Sequence, residues 1–217
     1  MKKLSLILLF PLILFSCQQT ELQFSCDPAI DAYVAGNLKS LSLLTFSELA
    51  DYELPLQRAI FNSWDAEKKR DAWIDKLYFV LENESFIEAE VMHVQELIDH
   101  IYPGYFLEET MQQEKEYRSR FAADWISVAS DKLGWTEQYI AFMVYRLYGS
   151  FSEMEDELSM LHDLQENVIT NSETGSCDCS ILYDYCGYSM MCNSGECSST
   201  TTGCGWLLSK LCDGLCY

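Results

Sequence analysis

Eight of the ten cysteines fall within the last 41 residues, at Cys177, Cys179, Cys186, Cys192, Cys197, Cys204, Cys212 and Cys216, and the 150 residues before them hold none. So uneven a distribution divides the chain into two kinds of material with different means of stabilisation. The tail is too short to be held by burial alone, since modules below roughly 40 residues need covalent or metal staples. An even count of eight predicts four disulfides in an oxidising compartment. A zinc site would more usually show C-x2-C pairs or histidine ligands, and the tail has neither. The pairing stays open, because eight cysteines allow 105 arrangements. Losing one bridge from so small a module would cost roughly 2–5 kcal/mol.

The N-terminus predicts an oxidising compartment. Lys2 and Lys3 precede an apolar stretch from Leu4 to Phe15, broken by Ser5 and Pro11. That stretch, about 12 residues, is too short to span a bilayer as a helix and reads as a signal peptide over 1–16. Leu14-Phe15-Ser16-Cys17 has the pattern of a bacterial lipobox, so Cys17 is the expected acylation site and the new N-terminus. The expected mature protein is exported, with its segment 17–26 attached to the membrane of the cell envelope through lipid on Cys17. The alternative is an ordinary cleaved signal with an incidental cysteine.

Charge narrows the partners. The formal net charge is −20, with 34 acidic against 14 basic residues, and loss of Lys2 and Lys3 takes it to −22. Such a surface repels nucleic acid and anionic headgroups, which excludes a nucleic-acid binder. Basic proteins, cations and uncharged glycans remain, beside a solvated surface with no specific partner.

Residues 27–165 read as one helical domain of about six helices. Asp27-Pro28 opens the first, with Ile30, Tyr33, Val34, Leu38 and Leu41 at helical spacing. Ser63 is the expected cap of a second, with Trp73, Ile74, Leu77, Val80 and Leu81 as its buried stripe. Ser85-Phe86-Ile87-Glu88 has capping-box spacing ahead of Val91, Val94, Leu97, Ile98 and Ile101, and Pro103-Gly104 stops that helix. A long segment from Phe106 to Leu133 ends at Gly134. Thr136 caps the next, carrying Ile140, Met143, Val144 and Leu147, and a last one runs from about Ser152 to Leu164. Residues 166–176 lose the stripe and become rich in Asn, Ser, Thr and Gly, the composition of a protease-sensitive linker.

The module over 177–217 is unusually apolar between its cysteines. It carries too many large apolar side chains for about 40 residues to hide, so some must face water, a partner, lipid or the helical domain. Tyr188, Met190, Met191, Trp206, Leu207 and Leu208 form the candidate contact surface, toward an unknown protein or envelope target. Four acidic residues against Lys210 make the module slightly negative, which suits docking better than electrostatic lysis of anionic lipid.

Cys177-Asp178-Cys179, Asp184-Tyr185-Cys186 and Cys192, followed by Thr202-Gly203-Cys204-Gly205-Trp206, resemble the bacteriocin fulvocin C-related family. The opening C-x-C-x6-C-x5-C agrees with that family's stapled peptide. Arg58-Ala59-Ile60-Phe61-Asn62, then Lys68-Lys69 and Trp73, are similar to its recurrent helical segment. Four residues instead of five separate Cys192 from Cys197, and the chain ends in C-x3-C, which leaves the last pairing open. The resemblance implies a helical region followed by a disulfide-rich, bacteriocin-like tail, released by cleavage in the linker to act on other bacteria. The other reading keeps the tail as a permanently tethered surface-binding module.

Catalytic signatures are weak. Glu90, His93, Glu96 and His100 share about one helical face, and Glu90-x-x-His93 has di-iron spacing, but no second Glu-x-x-His exists. A solvated helix surface is the expectation there, as it is for His162. No Gly-x-Ser-x-Gly elbow or phosphate loop occurs. No enzyme, resident metal or cofactor is expected. Cys26 is left over once Cys17 is acylated, with no basic neighbour in sequence to lower its pKa. Trp64, Trp73, Trp125 and Trp135 are expected to fill the helical core.

Overall fold

The computed structural model describes residues 24–25, 27–107, 112–156, 179–180, 192–194, 203–210 and 212–216. The signal peptide, Cys17, Cys26, His162, the 166–176 linker, Tyr188, Met190, Met191, Cys177, Cys186 and Cys197 lie outside the described residues. The protein is mostly helical: α1 (Pro28–Leu41), α2 (Phe46–Ala50), α3 (Leu54–Ser63), α4 (Ala66–Asn83), α5 (Glu88–His100), α6 (Gln112–Asp131) and α7 (Glu137–Val144). Residues 151–156 are helical as well. Among the described residues, no helix is long and apolar enough to cross a membrane.

Local chemistry starts most of these helices. The Asp27 carboxylate accepts from the backbone N–H groups of Ala29 (2.7 Å) and Ile30 (3.2 Å), and Pro28 occupies the first turn where no N–H is needed. Thr45 and Glu48 form a reciprocal capping box on α2. Thr136 caps α7. Two caps fall elsewhere than the sequence reading placed them. Ser63 closes α3, and Asp65 instead caps α4 by accepting from Lys68 N–H at 2.8 Å. Helix α5 starts from Ile87, with Glu90 reaching back to the Ile87 N–H at 2.9 Å. Isoleucine carries no acceptor, so only half of a capping box forms there, and Ser85 takes no part. Helix α2 was not among the expected elements, and α3 was expected only through the helical resemblance at Arg58–Asn62. The Thr45-x-x-Glu48 box is the local signal that marks α2.

The tail adds a minimal ribbon. Strand β1 (Cys192–Asn193) pairs antiparallel with β2 (Leu215–Cys216), Cys192 opposite Cys216 and Asn193 opposite Leu215. Isolated bridges join Cys179 to Gly214 and Cys204 to Lys210. Disulfides link Cys179 to Cys192 and Cys204 to Cys212.

The core is continuous across the two regions. A single buried cluster runs from Val34 on α1 through Phe61, Trp73, Leu97, Trp125 and Phe142 to Trp206, Leu207 and Leu208 of the tail. The sequence reading divides the chain into a helical domain over 27–165 and a stapled module over 177–217, and the described part of that module contributes to the core of the bundle. Trp64, Trp73, Trp125 and Trp135 are all buried.

Candidate functional site

The site is the seam where the tail enters the bundle. Cys204 and Lys210 exchange both backbone hydrogen bonds, N–H to O at 3.1 and 2.9 Å, and the Cys204–Cys212 disulfide reinforces that base. Between them the chain makes one turn, Trp206–Leu208, thrown out as a plug. Gly205 has φ 64°, Leu207 φ 51° and Leu208 φ 53°. Two leucines in the left-handed region cost roughly 1–2 kcal/mol each. Trp206 is 2% exposed and both leucines 0%. Burying three such side chains contributes about 5–9 kcal/mol, so burial outweighs the strain and holds the turn in a shape it would not keep in water.

These three residues were candidate contact residues, with water, a partner, lipid or the helical domain as what they could face. They pack into the helical bundle, because a Trp-Leu-Leu turn gains more from an apolar recess than from water, and the bundle supplies that recess. Trp206 Nε1 donates to the Tyr105 hydroxyl at 2.8 Å, and Trp73 Nε1 donates to Leu207 O at 3.0 Å. The seam is therefore crossed by one indole hydrogen bond in each direction. The Trp206 ring meets Trp125 edge-on at 5.6 Å and Phe121 at 6.3 Å. Burial lifts the Tyr105 phenol to about 12, opposed by the Trp206 bond and by Arg118. It therefore remains a neutral acceptor at physiological pH.

Gly203 marks the entry. Its φ is +115°, and a Cβ there would lie 2.8 Å from Asn62 Nδ2 and 3.2 Å from Asn62 Oδ1. Gly203→Ala should destabilise the docked tail by about 2 kcal/mol, from strain and clash together. Adding Asn62→Ala should recover the steric part and leave the conformational part, which urea unfolding of the two variants would separate. Asn62 on α3 and Trp73 on α4 are the helical residues that meet this entry turn, through the Gly203 approach and the Leu207 carbonyl.

Behind the plug, α5 and α6 are joined by two aromatic stacks. His93 lies on Trp125 at 4.3 Å between ring centres with planes 13° apart, and His100 lies on Phe121 at 3.5 Å and 7°. The expectation of a solvated α5 face fails for both histidines, which are 5% and 9% exposed. Each leaves a buried Nε2 without a hydrogen-bond partner. Burial lowers the His93 pKa, with Glu96 and the Trp125 hydrogen bond opposing. Burial and then Arg118 lower His100 to about 4. Glu90 holds Trp135 Nε1 at 2.7 Å as well as the α5 N-terminus, so its carboxylate is committed to structure. Among the described residues, no group of acidic, histidine or cysteine side chains is arranged to hold a metal ion.

A buried lysine that sequence reasoning passed over completes the site. Lys76, one turn beyond Trp73 on α4, is fully buried and donates to the carbonyls of Phe142, Met143 and Arg146. These lie at and just beyond the C-terminal end of α7, where carbonyls lack intrahelical partners and the dipole favours positive charge. The ammonium also lies over the rings of Trp73 (5.0 Å) and Phe142 (4.5 Å). Burial, and secondarily Arg146, pull its pKa well below the usual lysine range. A lysine one turn from Trp73 on the apolar stripe was the available signal.

Comparison with protein families, curated proteins and solved structures gives no match to this chain.

Proposed function

We propose that the chain is an exported, lipid-anchored envelope protein that works in one piece, holding its disulfide-rich tail against the helical bundle as a tethered binding unit. The supporting observation is the plug: Trp206, Leu207 and Leu208 are the most apolar run of the described tail, and the bundle occupies them. A peptide built to be shed would keep such residues for its target. The signal pattern and the Cys17 lipobox support export and anchoring. The acidic surface favours a protein, cation or glycan partner over nucleic acid.

The family resemblance supports a second reading, in which the bundle is the holder of a bacteriocin-like peptide. In that case a cut in the linker is not sufficient for release, because the plug remains seated without a covalent connection.

One experiment separates the two. A specific protease site is placed within residues 166–176 and cut under non-reducing conditions. The tail should co-elute with the bundle on gel filtration and part from it in denaturant. Free elution of the tail in native buffer would refute the one-piece reading and send the peptide to killing assays on other bacteria.

A further inference from the structure

Five tryptophans and two histidines give the seam a property beyond tethering. Each indole N–H has a partner: Trp64 on Leu41 O, Trp125 on His93 O and Trp135 on Glu90 within the bundle, and Trp73 and Trp206 across the seam. The two rings of α6 that grip Trp206, Phe121 and Trp125, are themselves backed by His100 and His93 of α5. His100 also meets Tyr105 edge-on at 5.7 Å, and Tyr105 accepts the Trp206 hydrogen bond. Among the described residues, every ring that touches Trp206 thus leans on a buried imidazole.

We propose that this pair of imidazole stacks is an acid-operated release for the tail: protonating His100 and His93 expels Trp206 from the bundle while the helices stay folded. The inference rests on the one-piece reading above.

The charges around the stacks point the same way. From α6, Arg118 faces His100, and Tyr117 lies at 5.4 Å. Arg118 also binds Tyr102 and the carbonyls of Gly104 and Tyr105, and pairs with Glu114 at 2.7 Å. From the tail, Lys210 lies near Arg118 and Lys115, which together with burial lower its pKa. A new positive charge on His100 therefore meets Arg118, the same guanidinium that lies near Lys210 of the tail, with Glu114 partly neutralising it. Three effects oppose release. Glu96 lies 3.8 Å from His93 Nδ1, so His93 is the weaker of the two triggers. His100 ends α5, where the helix dipole favours a cation. An imidazolium on an aromatic face also regains some cation–π attraction. Desolvation outweighs them, since each buried Nε2 would gain a proton with nothing to accept it.

The pH window follows from the sign. A histidine whose docked-state pKa lies below its free value of 6.5 protonates more readily once the tail has left. Docking is complete above about 6.5, weakens as the pH falls toward about 4, and levels off below. For His100 the weakening is up to a few hundred-fold, in the limit where undocking fully rehydrates the ring.

The test is indole N–H exchange in the full chain by NMR, between pH 7 and pH 4. The Trp206 and Trp73 signals should lose protection over that range while Trp64 keeps its own. The His93→Phe, His100→Phe double variant, which preserves the stacks without a titratable group, should keep all five protected at pH 4. Persistent Trp206 protection at pH 4 in the parent chain, or equal loss in the double variant, overturns the proposal. If the variant does not fold, the His100 imidazole signal in the parent decides: titration in step with the Trp206 indole supports the release, and titration with Trp206 still protected refutes it. An unprotected Trp206 at pH 7 would instead overturn the one-piece reading.

Discussion

Trp206→Ala should cost about 3–5 kcal/mol and undock the C-terminal turn. The substitution empties a recess lined by Phe121 and Trp125, and the measured range for large aromatic truncations in a packed core applies. It also leaves the buried Tyr105 hydroxyl without its indole donor. Leu207 and Leu208 then keep left-handed backbones with less burial to stabilise them. The same change in an independent surface module would shift stability by less than about 0.5 kcal/mol. Urea unfolding followed by fluorescence distinguishes these results, and accelerated proteolysis in the linker should accompany undocking. A double-mutant cycle with Tyr105→Phe should give a coupling of about 1 kcal/mol for the hydrogen bond. An unchanged midpoint for Trp206→Ala would mean that the tail is not part of the bundle's core.

Lys76→Met should destabilise the protein by about 3 kcal/mol. Methionine fills the path of the lysine stem but donates nothing, so the carbonyls of Phe142, Met143 and Arg146 lose their donor in a buried setting. Exchanging a buried ion for an apolar side chain is often neutral when its partners are replaced too. Here they are backbone groups that no side-chain substitution removes. The gap between parent and variant should also depend on pH. The Lys76 pKa is lowered in the folded chain, so its contribution is greatest above 10.5 and declines as the pH falls toward the folded value. The parent should therefore gain on the variant between pH 7 and pH 9.5 in paired thermal melts. A variant as stable as the parent at both pH values would show that water reaches the α7 end without Lys76. Because α7 packs against the Trp206–Leu208 turn, the linker in Lys76→Met should also be cut faster.

Much of the helical bundle was legible in the sequence. Asp27-Pro28, Thr136 and Gly134 mark ends correctly because caps and left-handed stops act within a few residues of themselves. The stripe of α4 was legible for the same reason, as was that of α5 apart from Val91, which is exposed, since burial at intervals of three and four leaves a local pattern. The cap errors at Ser63 and Ser85 were choices among neighbouring polar residues that the tertiary packing settled. Helix α2 is five residues long, too short to build a stripe, and it rests on its capping box.

The seam was not legible. His93 reads as a helix-surface histidine until Trp125, 32 residues away, is stacked on it. Trp206 reads as a contact residue with no assigned partner until Tyr105, 101 residues away, accepts its indole. Sequence alone determined that this chain makes helices, that its tail needs staples, and that the tail carries more apolar surface than it can hide. Where that surface goes was decided by the tertiary structure. Helix periodicity and cysteine density are short-range properties. The recess that takes the Trp206–Leu208 turn exists only once α4, α5, α6 and α7 have assembled around it.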